Sequence, residues 1–382
     1  MKIKALLAVA IAAVTFASCS KEEGADNNKA GELARVTINM EQPGTRATGA
    51  TQAAQAVSFT SGYVYFVDND SKITNIFRLV SGTPTPDTNE IKIGTSMTFD
   101  EVSGNSQHVY IFGNIPAQTA AVGANISTVA NAAVNVKTQT DDVDDSTLDN
   151  YYLFGKTATP INHNGANSTA SVTVKPIGSR IEIGELKAVD KAGQTENVTA
   201  FRVDGIFINN TYKQITLAGA KTATAADFFY NGKEADGQSP VNFITNGTHY
   251  PTADQGYLYN ANETAGIATS ASNVAKPASG VWAYNVFAPT AGEFPHVVIR
   301  VSNIAGVTAI PASEIRWMTI TKFLKTGDSS EITSFEPGKI YKITSLEFNA
   351  YDHLDVSPEM KTVTAVVTVS VPDWSLETVK PW

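Results

Sequence analysis

From Val57 to Phe348 one pattern recurs, and it leaves little room for anything but β-structure. Short runs rich in Val, Ile, Phe, Tyr and Thr alternate with clusters of Gly, Pro, Asn and Asp. "VSFTSGYVYFV", "KITNIFRLV", "IKIGTSMTF", "HVYIFGN", "YYLFGKT" and "ASVTVKPI" form a first series. The pattern pauses at Pro176–Gly178, and "SRIEIGELKAV" opens a second: "AFRVDGIFI", "KQITLAG", "GVWAYNVFAP", "HVVIRVSN", "EIRWMTITKF" and "GKIYKITSLEF". β-Branched and aromatic side chains suit a pleated, half-buried surface, and the punctuating residues set the turns. No amphipathic helix of convincing length interrupts them. Ile115 to Ala124 fits either a short helix, with Pro116 tolerated in its first turn, or a loop. The expected fold is all-β, two sandwich domains meeting near residue 177. Trp282 and Trp317 fall inside strand patterns and are expected in the core. The long polar stretch from Thr222 to Ser279 is an insertion between strands.

The chain of 382 residues is long enough for two such domains, and 42% apolar residues suffice for packed cores. Charged residues are only 17% and the net charge is -9. A nucleic-acid binder would carry a basic patch, so that class of partner is excluded.

The start, "MKIKALLAVAIAAVTFASCSKEE", holds the single cysteine, Cys19. Lys2 and Lys4 precede an apolar run from Ala5 to Phe16. That run is shorter than the roughly 20 residues a membrane-spanning helix needs, and fits the core of a signal peptide. "FASC" resembles a bacterial lipobox, which would make Cys19 the lipidated first residue; the alternative is an ordinary signal peptide. "SKEE", Ser20 to Glu23, resembles the export signal of Bacteroidetes surface lipoproteins. Residues 20 to 34 read as a polar tether. "RVTINME" is a short strand with Val36, Ile38 and Met40 on one face. Pro43 and Gly44 then open a loop that contains Arg46 and Ala47.

No catalytic constellation is present, and none of the usual nucleotide-binding or hydrolase motifs occurs. His108, His163, His249, His296 and His353 are scattered singly, and no second cysteine could complete a zinc site. The acidic run Asp141 to Asp149 lacks the glycine and glutamate spacing of an EF-hand and reads as a solvated loop. These residues predict no enzyme, no metal and no cofactor. Asp145-Ser146-Thr147 is similar to the short O-glycosylation motif of Bacteroidetes, with Ser146 as acceptor.

The chain ends in "TVTAVVTVSVPDWSLETVKPW". Val363, Ala365, Val367, Val369 and Val371 alternate with polar residues, broken only by Val366. Such a strand spans about 33 Å. Burying its four valines and one alanine is worth roughly 6–10 kcal/mol before ordering costs. It is either a strand given to a neighbouring subunit or a core strand of its own domain. In the second case "WSLETVKPW" would be the donated piece, with Trp374, Leu376 and Trp382 as anchors. Asn349 to Lys361 lacks an apolar period and could serve as the hinge.

Taken in order, these features resemble the fimbrillins, type V pilins of the Bacteroidia. Cys19 stands at the lipidated position and Val36 to Met40 at the first strand. "PGTRATG" puts Arg46 at the cleavage arginine. "HVYIFGN" and "FEPGKIYKI" match strands of the first and last domains, and "VSVPDWSLETVKPW" the Trp-containing tail. The resemblance implies transthyretin-like sandwiches at 47–177 and 178–361, after a signal peptide (1–18) and a propeptide (19–46), with a strand region at 362–382. It implies an outer-membrane lipoprotein precursor, cut between Arg46 and Ala47 by a trypsin-like surface protease. Cleavage would release the lipid anchor and the strand carrying Val36, Ile38 and Met40. The opened groove would then take a strand from an identical or related subunit, building an extracellular fimbrium head to tail. Arg35 is a second candidate for the cut. A tip adhesin of the same fibre and a surface glycan-binding lipoprotein are the alternative functions.

Overall fold

The computed structural model describes residues 33–41, 59–86, 88–115, 120–135, 152–163, 167–209, 212, 214–222, 268–269, 272–277, 281–287, 295–325, 330–356 and 368–370. Their strands, in chain order, begin with β1 (Leu33–Glu41), β2 (Ser61–Val67), β3 (Ile73–Val80), β4 (Glu90–Lys92), β5 (Ser96–Ser103) and β6 (His108–Gly113). After a four-residue helix α1 (Ser127–Ala130) come β7 (Ala133–Asn135), β8 (Leu153–Lys156), β9 (Asn167–Thr173) and β10 (Lys175–Pro176). The next are β11 (Ser179–Ile183), β12 (Leu186–Ala188), β13 (Ala200–Asn209), β14 (Gln214–Thr216), β15 (Ala268–Thr269), β16 (Val274–Ala275) and β17 (Trp282–Val286). The last are β18 (His296–Ala305), β19 (Arg316–Ile320), β20 (Leu324–Lys325), β21 (Ile340–Ile343), β22 (Leu346–Phe348) and β23 (Thr368–Ser370). The chain is all-β.

Two sheets enclose the first core. One has three strands in the order β5-β1-β9, and the other six, β10-β8-β6-β2-β3-β4. Their facing side chains form one apolar cluster that takes Val36, Ile38 and Met40 from β1, Met97 and Phe99 from β5 and Val172 from β9. Val64, Phe66, Phe77 and Ile111 come from the opposite sheet. Phe66, Phe77 and Phe99 meet edge to face with ring centroids 5.0–5.7 Å apart, the preferred geometry for aromatic packing. Asn114 ends β6 at φ +56, a left-handed backbone that asparagine tolerates. Its Oδ1 accepts from the Thr60 N–H at 3.0 Å, tying the end of β6 to the start of β2.

The second half of the chain forms sheets of five strands (β17-β11-β21-β23-β20), three (β16-β12-β22) and four (β15-β13-β18-β19). They share a second cluster that includes Trp282, Phe201, Ile299, Phe335 and Phe348. Tyr65 and Phe112, on the other face of the six-stranded sheet, join the same cluster. β7 pairs with β14 and so links a segment of the first half to the second.

One open alternative is decided and two expectations are revised. The helix lies at Ser127–Ala130. The described part of Ile115–Ala124 is not helical, and Gly123 at φ +87 turns the chain there. Trp282 is fully buried, but Trp317 is only partly so and stacks beneath the Arg300 guanidinium, 5.8 Å from the ring centre. The proposed hinge also begins in fixed structure. Asn349 Oδ1 accepts from the N–H groups of Tyr351 and Asp352, Leu354 is buried, and Asp355 exchanges backbone bonds with Trp317. Any hinge must therefore follow Asp355.

Candidate functional site

β1 is the candidate site because of where its ladder bonds go. It pairs antiparallel with β5, with Val36 opposite Phe99, Thr37 opposite Thr98 and Ile38 opposite Met97. It pairs parallel with β9, from Arg35 opposite Asn167 to Glu41 opposite Thr173. Among the described residues β5 has no other strand partner, and β9 has only one isolated bridge, Thr169 to Asn162. The first short strand of the chain is thus the centre of its sheet, the one element that joins the other two.

The alternation of β1 places Ala34, Val36, Ile38 and Met40 inward, at 7%, 0%, 0% and 3% exposure. Complete burial of three large apolar side chains contributes about 5–9 kcal/mol. The outward face is polar. The Thr37 and Thr98 hydroxyls lie 3.3 Å apart, and Arg35 pairs with Asp100 in the open. That hydrogen bond, and then the Asp100 charge, raise the Arg35 pKa. An exposed pair of this kind adds little stability.

Both walls of the β1 slot are pinned to the rest of the sandwich without β1. On the β5 side, Asn75 Nδ2 donates to the Glu101 carbonyl at 3.1 Å, and Asn75 Oδ1 accepts from the Ser103 N–H at 2.9 Å. On the β9 side, Ser168 Oγ and His163 Nδ1 are hydrogen-bonded at 3.1 Å, and His163 Nε2 donates to the Ser106 carbonyl. Ser106 in turn bonds Thr74 on β3 at 2.7 Å. If β1 left, the walls would keep their attachment while losing a ladder of N–H and C=O partners. Unpaired backbone groups in an apolar cleft are costly, so the slot would favour another strand. Sequence reasoning did not find Asn75, Ser103, His163 or Ser168. Each reads as a loop or surface polar residue until its partner, 5 to 57 positions away, is known.

Arg35 lies inside β1, with ladder partners on both sides. A trypsin-like protease binds its substrate as a free extended strand, so the backbone at Arg35 is not open to one while β1 is in place, exposed though its side chain is. Of the tail, Thr368–Ser370 forms β23. Its residues Val369 and Ser370 lie opposite Ile343 and Lys342 of β21, and Thr368 and Val369 opposite Leu324 and Lys325 of β20. This part of the terminal strand lies in a sheet of its own chain. Cys19, Arg46, Ala47 and Ser146, together with Val363, Ala365, Val367, Val371, Trp374, Leu376 and Trp382, lie outside the described residues.

Among the described residues no cluster of His, Cys, Asp or Glu is arranged to hold a metal ion, and no helix is long and apolar enough to cross a membrane. No protein-family model matches the sequence, and neither does any curated protein. Solved structures do. A fimbrilin from Porphyromonas gingivalis W83 superimposes with a TM-score of 0.52 at 13% identity, over 88% of this chain and 96% of that one. A protein from Parabacteroides distasonis, provisionally designated a cell adhesion protein, matches with a TM-score of 0.52 at 9% identity, over 92% and 99%. One from Bacteroides eggerthii with the same provisional designation matches at 0.50 and 14%, over 91% and 98%. The agreement runs along nearly the whole length of each chain, and it shows that this chain has the fimbrillin fold.

Proposed function

We propose that the protein is a structural subunit of a cell-surface fimbrium. It is exported as an outer-membrane lipoprotein anchored through Cys19 and cut after Arg46 by a trypsin-like surface protease. It then polymerises with identical or related subunits by accepting their strand into the slot of β1. Residues 47–177 and 178–361 are its two sandwich domains. The carrying observation is that, among the described residues, β1 is the strand that links β5 and β9. Its release would open a seven-residue slot beside β9 while leaving the walls attached. The fold shared with a fimbrilin supports the same reading. Arg46 follows β1 by five residues, in a Pro/Gly-rich stretch, so one cut there would free the strand and the lipid anchor together.

The test is the N-terminus of mature protein from the cell surface. The expected first residue is Ala47, with none of 20–46 retained. A fibre subunit that keeps β1, or one cut after Arg35, would refute this order of events.

A further inference from the structure

We propose that the two halves of this chain form one rigid, cooperatively folded body, with no hinge and no protease-accessible linker where the chain passes between them at Ile177–Gly178. Domains joined in one chain move against each other by default, unless the surface between them is large and apolar. Here that surface is built like a core.

The six-stranded sheet is apolar on both faces. Alternation sends Val64, Phe66 and Ile111 into the first core, while Tyr65 of β2 and Phe112 of β6 turn the other way. With Ile73, Ile126, Val129 and Val134 they enter the cluster of the second half, and none of these six is more than 4% exposed. The Tyr65 and Phe112 rings meet edge to face, 5.8 Å between centroids. Burial of the Tyr65 hydroxyl in that cluster pushes its pKa well up, as a dry seam would.

Backbone bonds close the same seam at two places. β7 pairs with β14, and that ladder is extended by Leu217 N–H to the Ala132 carbonyl at 2.9 Å and Ala218 N–H to the Ala130 carbonyl at 3.1 Å. At the crossing itself, Ile177 N–H still donates to the Tyr152 carbonyl of the first half at 3.2 Å, and the Gly178 carbonyl already accepts from Gly338 N–H of the second at 2.7 Å. Gly338, at φ +77, seats its turn against the Lys175 stem, and a Cβ there would lie 2.9 Å from Lys175 Cδ. A crossing fixed residue by residue leaves no segment free to bend. It also resists the class of protease proposed to mature the protein. The nearest basic residues on either side are Lys175 and Arg180. Lys175 precedes Pro176, a bond that trypsin-like enzymes pass over, and Arg180 is buried inside β11 against Glu182. In a fibre of such subunits, bending is confined to the joints between them.

Trp282, Trp317, Trp374 and Trp382 are the only tryptophans and lie in the second half or the tail, so tryptophan fluorescence does not report the first half. Met97 is buried in the first core, on the three-stranded sheet rather than the one that meets the second half. Met97→Ala in the uncut chain should lower the fluorescence melting temperature by roughly 3–7 °C, as one cooperative body requires. Calorimetry should show a single transition for parent and variant, with equal calorimetric and van't Hoff enthalpies. A fluorescence melt that Met97→Ala leaves within about 1 °C of the parent, or two calorimetric transitions, overturns the single body. Pro176→Ala tells a closed crossing from one protected only by its sequence, since it restores a bond that trypsin accepts after Lys175. The variant should resist trypsin to within about twofold of the parent, because cleavage follows opening. Rapid release of a fragment cut after Lys175 means that the crossing opens, and overturns the proposal. Neither readout depends on the slot of β1: a fibre subunit that keeps residues 20–46 would refute the proposed maturation and leave the single body standing.

Discussion

Ile38→Asp is expected to unfold the β1 sandwich of the uncut protein. Ile38 is completely buried in the cluster between the two sheets. The substitution removes about 1.5–3 kcal/mol of apolar burial. It also leaves a carboxyl group without a partner, at a further cost of roughly 2–7 kcal/mol. A total of about 4 kcal/mol or more is a large share of the 5–15 kcal/mol that typically holds a domain. Asn39→Asp, one position along on the exposed face, should stay within about 0.5 kcal/mol of the parent. Urea denaturation of the uncut chain separates the two. If Ile38→Asp were as stable as Asn39→Asp, β1 would not be holding the slot.

The second large effect is on assembly. Deleting Thr362–Trp382 from a chain cut after Arg46 should abolish fibres, leaving a subunit that accepts a strand but supplies none. Deleting only Trp374–Trp382 tells whether the valine-rich strand or the last nine residues are donated: fibres should persist if the donor is Thr362–Val371. The long deletion also removes β23 from its home sheet. The described part of that strand, Thr368–Ser370, contributes few ladder bonds, so the monomer should remain folded, with a melting temperature lower by only several degrees. Electron microscopy and sedimentation read the fibres, and calorimetry the monomer. Loss of fibres with the short deletion would move the donor to the last nine residues. Normal fibres from the long deletion would rule out tail donation.

Much of this fold was legible because its strands are short, alternating and separated by strong turn residues. "HVYIFGN" even carries its own stop, since asparagine tolerates the backbone that ends β6. β1 was legible as a strand for the same reason. Its place in the middle of a sheet was not. Its parallel partner β9 lies more than 120 residues downstream, and periodicity carries no information about partners. Trp317 was misplaced because a strand pattern fixes which residues share a face and leaves open which face is covered. Its neighbour Arg300 keeps that side polar. The turn at Asn349–Asp355 looked like a hinge because it lacks an apolar period, but the Asn349 side chain and the backbone pair with Trp317 tie it down. The pins at Asn75 and His163 were invisible for a related reason, since a polar residue names its chemistry without its partner.

Cutting should empty the β1 slot, and a neighbour's tail should refill it. Amide hydrogen exchange of peptides covering Met97–Val102 and Ser168–Val172 measures the two walls. These peptides should be protected in the uncut chain, exchange at least a hundredfold faster in the cut chain lacking Thr362–Trp382, and regain protection in fibres of the cut, full-tailed chain. Protection that is unchanged by cutting and tail removal, or fails to return in the fibre, would contradict strand exchange at β1.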